Sequence, residues 1–522
     1  MKDRTGELKK KKNGVFKKLH RWPGLIISFI LLYYGITGTF MNHRELFSGV
    51  DLRRTVLPEE YEYRNWNNAA VKGNFEINSD SILIYGNIGV WVTDTTFTEY
   101  RSLNNGFPRG TDNRKVSDVH RCDDGGLYAA TLFGLYSFDI SDGSWKIINT
   151  GKGDKRFTSV ESRGDTLYAL SRSYLYTGSS DGVATRLTRK ELPAPEGFRN
   201  EAGLFETVWQ IHSGEIFGLP GKVFVDLLGA LTVFLSLTGM VYFFFPGWIV
   251  SRAKKARSVA RISSVNRWSL KWHNKLGAWF FVFLIILYFT GIFLRPPLLL
   301  TIASSKVRPV IYSNLDQPNP WHDKLRDLLY DRDKERFLLA TSEGMFFFSE
   351  PGETPAPFMI QPPVSVMGIS AFGPYGEEAY VVGSFTGLFL WNPSDPVVYN
   401  LITGGQYVEV SGRPVGDFKI SGIISDGIGR RYISDYDMGL LPLGHEGTFP
   451  KMPDNIREES KISLWSVSLE IHTGRIFNSL LGSFYILVVP LAGLTGITVV
   501  ISGYMVWRRK YRKRPDEVTK NE

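Results

Sequence analysis

Cysteine is nearly missing from this sequence: Cys122 is the only one in 522 residues. That excludes a disulfide scaffold, a CxxC redox pair and a cysteine zinc site. Histidine is scarce as well, with eight copies. Charge is missing from particular stretches. Gly24–Met41, Leu276–Leu294 and Ile476–Trp507 contain no Asp, Glu, Lys or Arg, and Val223–Val250 contains only Asp226. No GxGxxG follows a predicted strand, so a dinucleotide-binding unit is not indicated. Disorder is not indicated either, because 43% of residues are hydrophobic and 22% charged.

The charges that are present are sorted along the chain. The net charge is +9, from 61 Lys and Arg against 52 Asp and Glu. Residues 1–19, 251–275 and 507–522 together carry +18, so the remainder carries −9. Each basic stretch abuts an apolar run, and each run can supply the ~20 residues a membrane helix needs. An excess of Lys and Arg marks the cytoplasmic side. The N-terminus, the 251–275 loop and the C-terminus are therefore expected in the cytoplasm. The acidic segments, roughly 44–203 and 298–462, are expected outside, in the periplasm of an inner-membrane protein. The first apolar run is too long for a signal peptide and lacks an A-x-A-like site, which makes it a retained anchor. Nucleic acid is not needed to explain the basic total.

The chain contains an internal duplication. Leu19-His20-Arg21-Trp22-Pro23-Gly24 aligns with Trp272-His273-Asn274-Lys275-Leu276-Gly277, and the same offset puts Thr37-Gly38 on Thr290-Gly291. Ile211-His212-Ser213-Gly214 aligns with Ile471-His472-Thr473-Gly474, and Thr238-Gly239 with Ser502-Gly503. Both copies read helix, outer domain, helix in the same direction, as in parallel transporter repeats. The matched small residues are read as points where helix backbones approach closely.

Four of the eight histidines fall at matched positions of this duplication. The topology puts His20 and His273 at the cytoplasmic ends of the first and third helices, and His212 and His472 on the outer side. A lone histidine at a helix end most often satisfies a dipole or an interface. Four at symmetric sites next to membrane helices read instead as ligands. Imidazole is a haem axial ligand, and a twofold axis between equivalent histidines suits a six-coordinate iron. The reading is two haems, one held by His20 and His273 and one by His212 and His472. Without CxxCH they would be b-type. His43 has Pro296 as its repeat equivalent. It is an alternative outer ligand or a substrate-side residue, otherwise structural. Asp226 reads as a proton or quinol site, or equally as a polar group lining the bundle. Arg295 reads as a haem-propionate partner or as a snorkelling side chain.

His-x-x-x-Gly before a long apolar helix ending Thr-Gly, His-(Ser/Thr)-Gly before a second helix, and Trp507-Arg508-Arg509 after the last resemble the PepSY-associated transmembrane family. The resemblance covers the four apolar segments, roughly 190 residues. It implies an iron-regulated inner-membrane protein similar to ferric-siderophore reductases, with b haems in a four-helix core. It assigns ligand roles to His20, His212, His273 and His472. No PepSY-type pattern is found in the outer segments.

Those segments carry paired strand motifs: Ile82–Tyr85 with Gly89–Val92, Leu127–Ala130 with Gly134–Phe138, Leu167–Leu170 with Tyr174–Tyr176, then Phe337–Ala340 with Gly344–Phe347, Ala379–Val382 with Gly387–Leu390, and Tyr432–Ser434 with Gly439–Leu441. Each reads as strand, tight turn, strand. Spacings of 40–53 residues suit propeller blades, three per half. Either the halves close one ring or they form separate domains.

The expected class is an α+β membrane protein. A four-helix transmembrane bundle from two parallel repeats carries two extracytoplasmic, propeller-like all-β domains. The expected segments are 1–43 (basic tail and first helix), 44–203 (β), 204–250 (interfacial and second helix) and 251–271 (basic loop). They continue with 272–297 (third helix), 298–462 (β), 463–507 (interfacial and fourth helix) and 508–522 (basic tail). The expected function is electron transfer through b haem to a periplasmic ferric siderophore or similar ferric chelate. The donor is a separate cytoplasmic reductase or a membrane quinol, since the cytoplasmic parts total only about 60 residues. The alternative is a non-enzymatic membrane-anchored sensor or binding protein, and a transporter is a weaker third.

Overall fold

The computed structural model describes residues 2–511 apart from 152, 181–185, 318, 366–367 and 409–414. The C-terminal end of the basic tail, 512–522, lies outside the described residues. In chain order the helices are α1 (Lys2–Asn42), α2 (Leu204–Ser213), α3 (Gly218–Lys254), α4 (Ala260–Trp279), α5 (Phe281–Ile292), α6 (Asp454–Glu459), α7 (Leu464–His472), α8 (Asn478–Leu481) and α9 (Val488–Tyr511). The chain divides into two compact units. One comprises residues 1–44, 200–316 and 465–522, and the other 45–199 and 317–464.

The helical unit contains three spans long and apolar enough to cross a membrane: Gly14–Asn42, Glu215–Lys254 and Arg475–Lys510. The third predicted span is different. Instead of one helix over the apolar run Leu276–Leu294, α4 and α5 meet at Phe280 with a 70° bend. No proline stands at the break, and hydrogen bonds run through it, from Phe280 N to Leu276 O and from Leu284 N to Phe280 O, both at 3.0 Å. Helix α1 packs on α3 and α9, α4 on α3, and α5 on α9. The expected helix and turn before the second and fourth spans are present. Helix α2 ends at Gly214, whose φ is +79°, and α7 is followed by Gly474 at +75°. At Gly214 a Cβ would lie 2.2 Å from Gly221 O, so only glycine allows the chain to turn here into α3.

The second unit is built from antiparallel sheets. Six of them, five four-stranded and one three-stranded, each follow sequence order. Their first strands are Gly73–Asn78, Val116–Arg121, Phe157–Arg163, Leu325–Asp331, Ile369–Tyr375 and Ile420–Ser425. All six paired motifs of the sequence fall on the second and third strands of these sheets.

The second strands explain how the sheets stack. Successive side chains of a strand point to opposite faces. In the first sheet Ile82 and Ile84 pack with Ile424, Tyr432 and Leu440 of the sixth, while Leu83 packs with Val116, Val119 and Tyr136 of the second. The same arrangement recurs at every junction. Apolar clusters join second to third, third to fourth, fourth to fifth and fifth to sixth sheets. The series closes on itself. Ile423 N donates to Lys72 O at 3.1 Å and Ser425 N to Asn74 Oδ1 at 2.9 Å, which ties the sixth sheet to the first. Of the two alternatives, separate domains or joined halves, the structure shows the halves joined in one compact unit. A set of three stacked sheets leaves an apolar face bare at each end, and each half covers the other's.

Polar groups tie four sheets together near their first strands. Asp118 accepts from Tyr85 Oη at 3.1 Å and from Val160 N at 2.9 Å. Ser159 Oγ reaches Asp118 and Leu328 O, both at 3.3 Å. Burial, with the neighbouring Asp118 carboxylate, pushes Asp327 from an ordinary 3.8 up to about 8. A carboxyl whose folded pKa is raised keeps its proton in the folded state, while the unfolded chain ionises above pH 4. Its contribution to stability is complete below about pH 4 and is lost as pH rises towards 8. Asp327→Asn is therefore expected to flatten the decline of unfolding midpoint between pH 4 and pH 8 and to raise the midpoint at pH 8. Parallel profiles for wild type and variant would contradict this assignment.

Candidate functional site

The duplicated histidines meet in the pairs that their symmetry suggests. The ring centres of His20 and His273 are 5.9 Å apart, and those of His212 and His472 6.1 Å. His20 is on α1, His273 on α4, His212 at the end of α2 and His472 at the end of α7.

Each ring is held by its Nδ1. His273 Nδ1 is 3.0 Å from Thr238 Oγ1, and His472 Nδ1 3.0 Å from Thr37 Oγ1. His212 Nδ1 lies 3.0 Å from Leu287 O and 3.2 Å from Thr290 Oγ1. His20 Nδ1 lies 2.9 Å from Val499 O. The threonine hydroxyls each have one proton, and it is already used. Thr37, Thr238 and Thr290 donate it to Tyr33 O, Phe234 O and Ile286 O, at 2.7, 2.7 and 2.8 Å. A hydroxyl committed in this way can only accept from the ring, and a carbonyl can only accept. The proton of each neutral imidazole is therefore assigned to Nδ1, which leaves a lone pair on Nε2.

A glycine beside each tether lets the ring in. A Cβ on Gly503 would stand 2.7 Å from His20 Cε1, and one on Gly291 2.9 Å from His212 Cε1. The corresponding distances are 3.3 Å from Gly38 to His472 and 3.4 Å from Gly239 to His273. The rings thus rest on the glycines by their Nδ1–Cε1 edges. The support is reciprocal between the repeats. His20 and His212 of the first copy lean on Gly503 and Gly291 of the second, and His273 and His472 lean on Gly239 and Gly38 of the first. On α1, His20 and Gly38 are 18 residues apart, so the two pairs are separated by roughly 27 Å along that helix.

The threonines and glycines were visible in the sequence as Thr-Gly repeats, but only as close-packing points. Their role as histidine tethers depends on which helix faces which. Val499 O could not be found from sequence, because a backbone carbonyl carries no residue signal.

His43 is not beside either pair's tether. Its Nε2 lies 2.6 Å from Asp226 Oδ2 on α3. Asn42 Nδ2 donates to Asp226 Oδ1 at 3.1 Å and to Ser213 O at 3.0 Å. The structure therefore brings two of the singled-out residues, His43 and Asp226, together. Arg295 lies within electrostatic reach of Tyr34, Glu470 and Arg475, and the Tyr34 ring is 5.0 Å from that of His472. Among the remaining histidines, His120 Nε2 is 2.8 Å from Ser162 Oγ, and His445 meets Arg431 O at 3.0 Å.

Three apolar spans with a bent fourth pair define a membrane protein with a substantial β unit. The chain matches the PepSY-associated TM region family over residues 2–245 and again over 247–510, and it belongs to that family. The double match is the duplication read above from the histidines. No curated protein matches it. Among solved structures, the extracellular domain of a hybrid two-component system from B. thetaiotaomicron is 13% identical with a TM-score of 0.33, over 74% of this chain and 40% of that one. A dihydro-heme d1 dehydrogenase is 9% identical with a TM-score of 0.28, over 74% and 56%. The chain thus spans about two fifths and just over half of their lengths, and scores this low identify no common fold.

Asp226→Leu removes the acceptor shared by Asn42 and His43. It is expected to lower stability in detergent by about 1–3 kcal/mol, the cost of polar groups left unpaired, and Asp226→Asn by less. Thermal unfolding of the two variants measures this, and equal midpoints for Leu, Asn and wild type would rule it out.

Proposed function

We propose that the protein is a b-haem oxidoreductase of the inner membrane that passes electrons outward to a ferric chelate of siderophore type. The observation that carries this reading is the pair of facing imidazole sets with every Nδ1 engaged. The ring centres of each pair, 5.9 and 6.1 Å apart, would let both imidazoles of a pair serve one haem iron. Two imidazoles per site fill only two positions of a metal's coordination sphere, so a macrocycle suits them better than a bare ion. His20 and His273 would hold one haem, and His212 and His472 the other. Haem supplies reversible one-electron transfer. The chain's own contribution is to fix ring orientation and to raise Nε2 basicity through the Nδ1 hydrogen bonds. Arg295, within electrostatic reach of Tyr34, whose ring lies beside that of His472, would meet a propionate on the second pair's side.

The helices are read as a four-helix transmembrane bundle in which the bent α4–α5 pair counts as the third span. Basic flanks on residues 1–19, 251–275 and 507–522 put both termini in the cytoplasm, and the acidic β unit in the periplasm. The cyclic stacking of six meander sheets favours a six-bladed propeller shared by both halves. The donor in this reading is a membrane quinol or a separate reductase.

The visible spectrum of detergent-solubilised protein, oxidised and dithionite-reduced, tests the reading, with a Soret band expected after expression with ample haem. His20→Ala, His273→Ala and Gly503→Leu should remove one centre. His212→Ala, His472→Ala and Gly291→Leu should remove the other. No Soret band would overturn the redox reading, and loss of the same centre in all six variants would overturn the pairing.

A further inference from the structure

A basic residue recurs at one place in the β unit. Lys72, Lys115, Arg156, Lys324 and Lys419 each immediately precede the first strand of a sheet, and Arg326 is the second residue of the fourth sheet's first strand. Contacts between neighbouring first strands run in step. Asp118 meets Val160 and His120 meets Ser162; Ser159 meets Leu328 and Glu161 meets Tyr330; Lys72 meets Ile423 and Asn74 meets Ser425. These strands therefore run the same way, and their basic starts share one end of the ring.

Three of these cations are matched by acids. Lys115 pairs with Asp112 at 2.7 Å, Lys324 with Glu343 at 3.0 Å, and Lys419 with Asp437. Nearby Arg172 is matched to Asp323 at 2.7 Å. Two are not matched. Among the described residues no acid forms an ion pair with Lys72, whose electrostatic neighbours are Arg156, Lys115 and Asp118. Asp118 is already engaged by Tyr85, Ser159 and Val160. Arg326 donates only to carbonyls, Asp323 O at 2.8 Å and Leu325 O at 2.9 Å, and its Nε is buried without a partner. Arg156 acts on both Lys72 and Arg326, so the two belong to one field. Burial and the like charges around them push Lys72 down to about 8 and Arg326 down to about 9. These half-buried cations share their nearest carboxylates with other groups, Asp118 for Lys72 and Asp323 for Arg326, and an anion relieves the cost of charge left short of a partner.

We propose that this end of the ring, with Lys72 and Arg326 as the contact residues, binds a multiply charged carboxylate chelate. A guanidinium matches a carboxylate, and the lysine adds a second point charge. The site rests on the ferric-chelate reading and narrows the acceptor to anionic chelates over neutral or cationic ones.

The test is calorimetric titration of the full chain in detergent with ferric citrate, iron-free citrate and a cationic ferric trihydroxamate. Ferric citrate should bind, and more weakly as salt rises. Lys72→Met and Arg326→Gln should each weaken binding at least tenfold, and Lys72→Arg should retain it. Lys146→Ala, on the outer strand of the second sheet, should leave binding unchanged. Thermal unfolding checks that each variant is folded, and the charge-keeping Lys72→Arg separates lost charge from lost structure. Unchanged binding in Lys72→Met and Arg326→Gln, or equal binding of the cationic chelate, would overturn the proposal. Iron-free citrate binding as tightly would overturn the assignment to a chelate. A Soret band in a sample that binds no ferric citrate defeats this site and leaves the redox reading standing. Binding without a Soret band does the reverse.

Discussion

The hydrogen bond from each histidine Nδ1 is the constraint on which the helical unit depends. An imidazole among apolar helices has two nitrogens to satisfy, and an unsatisfied one is expensive where water is absent. Here one nitrogen is tied to a threonine hydroxyl or a backbone carbonyl. The tie does more than remove a cost. It fixes the tautomer and leaves the lone pair on the second nitrogen. Glycine at the contact is a consequence, since a Cβ at Gly503 would stand 2.7 Å from His20 Cε1. Thr-Gly in a helix is thus a histidine cradle in this protein. Because each cradle belongs to the opposite repeat, neither copy can orient its histidines alone.

The β unit depends on the halves in the same way, for a different physical reason. A sheet buried on both faces needs a neighbour on each side. The third sheet finds one in the fourth, through Tyr168, Leu170, Leu328 and Phe337, although more than 130 residues of chain separate their first strands. The sixth finds one in the first through Tyr432, Leu440, Ile82 and Trp91. Duplication therefore produced one closed set of sheets instead of two open ones. The intervening chain leaves after the third sheet, contributes α2 to α5, and returns at the fourth.

Much of this was legible in the sequence, and the reasons for the gaps are physical. Charge depletion marks the apolar helices directly, because composition alone decides membrane compatibility. Strands two and three of each sheet announce themselves, as in Leu127–Ala130 and Gly134–Phe138, because both of their faces are buried. First strands do not, because residues such as Asp118, Ser159 and Asp327 face a polar interior and break the apolar pattern. The bend at Phe280 lay beyond pattern reading, since the run around it is uniformly apolar and contains no proline at the break. The histidine pairing was legible because it follows from symmetry. The tethers were not, because a repeat finds equivalent residues within one copy and says nothing about which helix of the other copy they face.

A place where the copies diverge in polarity follows from the same logic. His43 has Pro296 as its counterpart, and it meets Asp226 in the run Val223–Val250, otherwise free of charge. A contact between equivalent histidines needs both copies, and the repeats are alike at His20, His212, His273 and His472. A group that serves one proton or one ligand needs only a single copy, and the second copy is then free to lose it. The His43–Asp226 contact at 2.6 Å, with Asn42 bridging to Ser213 beside His212, has that one-copy character. Symmetry in this chain thus marks what the two halves must do jointly. Asymmetry marks what one half does alone, here an ionisable pair joined through Asn42 to Ser213, the residue after His212.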